Sequence, residues 1–145
     1  MPHGVPCVEQ DGFLVSMTAL QDPKINDACD LAKYVDAVTV PALVIPKGSN
    51  GFSARNVHVG GLAVVMPRHD KAPIYAVVGD IGPADELGEG TVGLARLALN
   101  KTADPVNYDE VRGRGKCAGK GWEIPYSYVL IFRGHARHQR PVHDD

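Results

Sequence analysis

Apolar residues in this chain fall in short runs broken by turn residues, and most runs have the length of a strand rather than a helix. Phe13–Leu20 (FLVSMTAL) mixes apolar and small polar residues over one strand length. Val38–Ile45 is a β-branched run, but Pro41 inside it confines that strand to a sheet edge or a bulge. Leu62–Met66 and Ile74–Val78 are two apolar strands, and the polar PRHDKAP between them predicts a hairpin. Tyr126–Phe132 (YSYVLIF) predicts a final strand. The period changes at Val92, Leu94, Ala95, Leu97, Ala98 and Leu99, which predicts one helix over Val92–Leu99. Asp27–Ala32 is the weaker helical candidate, with Ala28, Leu31 and Ala32 on one side. With one short extended piece expected in the 1–12 arm, the count is about six strands and one or two helices. That predicts a mainly β fold, a small barrel or packed sheets, with long loops at 47–55 and 103–121. The tail 134–145 has no apolar periodicity and is expected to fray.

Length and composition fit this picture. The 145 residues make one domain, large enough to bury a core without disulfides. The 44% hydrophobic and 22% charged content is ordinary for a globular protein, while 16 glycines and 11 prolines favour a turn-rich β architecture over a bundle. A net charge of −2 argues against nucleic acid as the main partner. Neither a charged and then apolar leader nor an apolar run near 18 residues is visible, so no membrane partner is expected. Cys7, Cys29 and Cys117 leave an odd count. One pair, Cys7–Cys29 for instance, suits an exported protein, and three free thiols suit a reducing compartment equally well.

The chemistry concentrates in Ile74–Asn100, IYAVVGDIGPADELGEGTVGLARLALN, a strand, an acidic loop and a helix. Asp80 stands at the end of the apolar run, and Glu89 just ahead of the helix. Glycosidic bond cleavage needs one carboxylic acid to protonate the leaving oxygen and a second carboxylate to attack the sugar or activate water. Two acids separated by a loop can face each other, whereas strand neighbours point to opposite faces. Both also have plain structural roles: Asp80 can bond the backbone of its own turn, and Glu89 can complement the helix dipole.

The segment resembles the central motif of glycoside hydrolase family 75, the fungal-type chitosanases: Y-x-x-x-G-D, a loop, then G-E-(small)-(S/T)-x-x-x-A. Tyr75, Gly79, Asp80, Gly88, Glu89, Thr91 and Ala95 match it, with Asp80 and Glu89 nine positions apart as in that family. DGFLVSMTALQDP (Asp11–Pro23), YVDAVTVPALVIP (Tyr34–Pro46) and EIPYSYVLIF (Glu123–Phe132) are weaker echoes.

The resemblance implies a six-stranded barrel of the double-psi type and an endo-acting, inverting hydrolase of β-1,4-linked chitosan, with no cofactor. Asp80 and Glu89 are then the catalytic carboxylates, Glu89 as acid and Asp80 as base, because the shorter side chain leaves room for water. A polysaccharide partner, a monomer and a secreted location are expected with it. Chitosan is cationic, so further acids are expected along its groove: Asp22, Asp36, Asp85 and Glu86 are the candidates. Trp122 can serve as a sugar platform or as a buried anchor for its loop. The basic VRGRGKCAGKG (Val111–Gly121) lacks the phosphate-loop order and predicts a solvated loop. His135, His138 and His143 lie in the tail, which supplies no rigid frame for a metal. A hydrolase of another aminosugar polymer, such as peptidoglycan or chitin, and a non-catalytic carbohydrate-binding barrel are the alternatives.

Overall fold

The computed structural model describes Cys7 and residues 15–48, 51–67, 71–119 and 121–134. The rest of the 1–12 arm, the hairpin tip at 68–70, Lys120 and the histidines of the tail lie outside the described residues. Strands β1 (Ala42–Pro46), β2 (Leu62–Pro67), β3 (Ile74–Gly82) and β4 (Ser127–Ile131) form one sheet, with helices α1 (Val92–Ala98) and α2 (Tyr108–Arg112) beside it. The strand order is β1-β3-β2-β4, with β1 and β3 parallel and the other pairs antiparallel. The sheet curls into a half-barrel, so the fold is mainly β and barrel-like.

Four strands are formed among the described residues, against about six expected. The expected Val38–Ile45 strand begins only at Ala42. Upstream of it, Val40 donates to the Asp36 carbonyl and Asp36 Oδ1 accepts from Val38, which commits those backbone groups to a turn. Pro41 has no N–H to extend the ladder backwards. Residues 15–20 likewise lie beside β3 without forming a ladder: Leu20 donates to the Gly79 carbonyl, while Thr18 Oγ1 takes the Val35 N–H. Beyond them, Asp22, Asp27, Asp30 and Asp36 each accept the N–H two residues on, at 2.8–2.9 Å. These Asx-turns let the segment coil without a strand partner. The helical turn expected at 27–32 is a short 3-10 turn at Leu31–Lys33, capped by Asp30.

The core lies between the sheet and α1. Leu43, Ala63, Val65, Ile74 and Ala76 meet Leu94 and Ala98 of the helix, and Ile45, Val57 and Val78 form a second cluster. Leu94 is 2% exposed, so truncation to Ala should cost about 2–5 kcal/mol. Thr91 fastens helix to sheet. Its hydroxyl accepts from Leu94 N as the N-cap and from Ala42 N at 2.9 Å, and donates to the Val40 carbonyl at 2.7 Å.

Helix α2 falls inside the stretch expected to be irregular. Asn107 caps it by accepting from Glu110 N, and Gly113 ends it with a left-handed φ of 63°. Cys7 and Cys29 form a disulfide, and Cys117 is a free thiol.

Candidate active site

The expected strand ended at Val78, but β3 runs four residues further because Gly79 is a bulge. The register passes from Leu43↔Val78 to Val44↔Asp80, leaving Gly79 as the extra residue on β3. Ile74, Ala76 and Val78 are all buried in the core row of this strand. An unbroken alternation would send Asp80 into that core; the bulge turns it out beside Val44. Its Oδ1 accepts the N–H of Ala19 at 2.9 Å and of Ile81 at 2.8 Å. Asp80 therefore holds residues 18–20 against the sheet, and two donors fix the orientation of its carboxylate.

Glu89 arrives from the other edge of β1. The loop after Gly82 passes the end of β1 and returns along its far side. Val44 donates to the Glu89 carbonyl at 3.0 Å, Thr91 donates to the Ala42 carbonyl, and Leu43 bridges Gly90. Val44 thus has Asp80 on one side and Glu89 on the other. The Glu89 side chain folds back across the strand: a Cβ placed on Gly82 would lie 3.6 Å from Glu89 Oε2 and 2.8 Å from Val44 Cγ1. Gly82 is two residues beyond Asp80 on the same strand, so the two share a face, about 6.6 Å apart along it. The two acids of the matched motif accordingly lie toward one end of the sheet, on the strand and the segment that flank β1. The Glu89 carboxylate has no hydrogen bond or ion pair among the described residues.

A cavity of about 1120 Å³ opens on Glu89, which stands on its wall while Asp80 does not. Phe52, Trp122, Tyr126 and core-face residues of β1 and β4 line it. Trp122 is only 5% exposed; its Nε1 donates to Glu110 Oε1 at 3.3 Å and its backbone N to the Val111 carbonyl. It is the anchor of its loop against α2, with one side toward the cavity. Tyr126, 87% exposed on the same wall, is the open aromatic surface.

The acids expected along the groove are elsewhere. Asp22 and Asp36 close their own Asx-turns and do not line the cavity. The Thr39 hydroxyl bonded to Asp36, opposed by its partial burial and helped by the Val38 and Thr39 amides and Arg96, holds that carboxyl below its ordinary range. Asp85 and Glu86 are exposed on the 83–88 loop, outside the lining, although their neighbour Leu87 belongs to it.

What sequence reasoning missed is the charge of the wall. Arg55, Arg112, Arg114 and Arg133 line the cavity, against Glu89 and Glu123. Two of these arginines belong to the loop expected to be merely solvated, and the only signal for them was their clustering. Among the described residues, no three His, Cys, Asp or Glu converge to hold a metal ion, and no helix is long and apolar enough to cross a membrane. No protein-family model and no curated protein matches the chain.

Proposed function

We propose that the chain is an endo-acting glycoside hydrolase that cleaves a β-1,4-linked aminosugar polymer with inversion. The observation that carries this reading is that Val44 is flanked by Asp80 on one side and Glu89 on the other, with Glu89 on the wall of a cavity large enough for a polymer segment. In the proposed reaction, Glu89 gives its proton to the leaving glycosidic oxygen as the C–O bond breaks. Asp80 takes a proton from water as the water oxygen bonds the anomeric carbon from the opposite face. The net change is one glycosidic bond and one water converted to two sugar hydroxyls; Asp80 then releases its proton to solvent and Glu89 takes one back.

Inversion asks for roughly 6.5–9.5 Å between the carboxyls to admit that water. Asp80, fixed by two N–H donors, suits the base that orients a water, and Glu89, without a protein partner among the described residues, suits the acid that must meet a substrate oxygen. The disulfide agrees with a secreted location.

Chitosan is the polymer the resemblance implies. A second reading, peptidoglycan, is favoured by one observation, the arginines of the cavity wall. A reducing-end assay across chitosan, colloidal chitin, cellulose and peptidoglycan tests both, with Glu89→Gln as the inactive control. New reducing ends from an aminosugar polymer support the hydrolase. Binding with no cleavage of any of them would replace it with a carbohydrate-binding barrel.

A further inference from the structure

The chain carries a small net negative charge, yet the wall of its large cavity is positive. Arg55, Arg112, Arg114 and Arg133 face two acids, Glu89 and Glu123, a surplus of two positive charges where the whole sequence has a net charge of −2. The arginines come from three separate stretches: the end of a 3-10 turn at Ser53–Arg55, the end of α2 with the residues after it, and the residues after β4. Folding is what assembles them. Glu110, on α2 beside Arg112, directs both oxygens elsewhere, Oε1 accepting from Trp122 Nε1 and Oε2 from Val106 N. Among the described residues, the single ion pair is Arg96–Asp104, so none of the four is ion-paired, although Arg55 Nη1 donates to the Gly51 carbonyl at 3.1 Å.

We infer that this cavity takes a glycan chain that carries carboxylates. The inference rests on the reading of the cavity as the polymer site. A planar guanidinium presents a fork of donors that matches a carboxylate in two parallel hydrogen bonds, and its charge does not titrate at physiological pH. Low-dielectric walls focus the field of such groups on whatever enters between them. A protonated chitosan chain would meet repulsion there. A neutral chain would offer the guanidinium donors hydroxyl and amide oxygens, without the charge that makes such bonds roughly twice as strong. A phosphate polymer is less well served: phosphate neutralisation rewards a long basic surface, and this wall also carries Glu89 and Glu123.

The test uses hexamers of one β-1,4 backbone in three charge states: chitosan, chitin and carboxymethylated chitin. Binding to full-length Glu89→Gln protein is measured by calorimetry at 50 and 500 mM NaCl, with a ten-residue thymidine oligonucleotide as a fourth probe. The carboxymethylated hexamer should bind about tenfold tighter than the neutral one at low salt and lose most of that margin at high salt. Arg114→Gln should cut that margin severalfold, Arg114→Lys should restore part of it, and neither should change binding of the neutral hexamer. Arg133→Gln provides the same comparison from a second segment. Equal or tighter binding of chitosan, or tighter binding of the oligonucleotide, overturns the inference. Cleavage of the polymers by the unsubstituted protein is scored separately. Arginine-dependent binding without any cleavage would retire the hydrolase and keep the anionic ligand; cleavage of chitosan alone would do the reverse.

Discussion

Asp80 Oδ1 accepts the backbone N–H of Ala19 at 2.9 Å, joining residues 61 positions apart. A candidate catalytic base is thereby also a structural tie, and two substitutions separate those roles. Asp80→Asn keeps an acceptor for Ala19 and Ile81, so it should fold normally while hydrolysis falls by about 10²–10⁴-fold, the range for a lost general base. Asp80→Ala loses both bonds and should also cost about 1–3 kcal/mol in denaturant titrations. Near-full activity in Asp80→Asn would remove Asp80 from the mechanism. Glu89→Gln should be equally inactive with unchanged stability, whereas Glu86→Gln should retain substantial activity.

Gly82 packs closely on Val44, beside the Glu89 carboxylate. A methyl group there would stand 2.8 Å from Val44 Cγ1, so Val44 must move, whereas Glu89 Oε2 at 3.6 Å is at ordinary contact. Because the Val44 N–H holds the Glu89 carbonyl, Gly82→Ala should lower kcat by about tenfold through that shift, with KM little changed. Steady-state kinetics on the best polymer checks this; an unaltered kcat would mean that Glu89 acts from another position.

Trp122 and Tyr126 line one cavity but should respond differently to truncation. Trp122→Ala removes a buried ring and should destabilise the fold by about 3–5 kcal/mol, visible as a lower denaturation midpoint. Tyr126→Ala should leave the midpoint unchanged and weaken oligosaccharide binding by about three- to tenfold, the worth of one aromatic contact. A stable Trp122→Ala protein with lost binding would exchange the two roles.

The pH dependence of stability tests Asp36. Its folded-state pKa lies below the ordinary 3.8, mainly through the Thr39 hydroxyl, so the unfolded chain takes up a proton first as pH falls. The resulting stability is present above pH 3.8 and is lost as pH drops through the folded-state value. Thermal melts between about pH 2 and 6 should show a shallower acid loss for Asp36→Asn than for the unsubstituted protein. Because Asp36 lies outside the cavity wall, the same variant should bind the oligosaccharides unchanged.

The disulfide offers a further check. Closing a loop between Cys7 and Cys29, 22 positions apart, should contribute about 3 kcal/mol by chain entropy. Cys29→Ser should lower the denaturation midpoint accordingly, with the reduced unsubstituted protein matching it. Identical midpoints in all three would show that the crosslink leaves the unfolded ensemble unconstrained.

Local pattern was enough for much of the fold. The apolar runs at 62–66, 74–78 and 126–132 became β2, β3 and β4, and the change of period at Val92 became α1, because each buries a face that its own spacing creates. Thr91 as helix cap, and a proline that delays β1, are also properties of a few adjacent residues. The motif from Tyr75 to Ala95 marked Asp80 and Glu89 by chain order alone.

Tertiary structure decided what no local window contains. A bulge exists only against a partner strand, so the outward turn of Asp80 and the extra length of β3 depended on the register with β1. The return of Glu89 along the far edge of that strand depended on it too. The segments 15–20 and 38–40 had strand-like composition, yet Ala19 N is taken by Asp80 Oδ1 and Val38 N by Asp36 Oδ1 in place of a ladder partner. The charge of the cavity was the least legible feature. Arg55, the pair Arg112 and Arg114, and Arg133 come from three distant stretches, and only the tertiary fold brings them to one wall, because electrostatic character belongs to a surface and not to a segment.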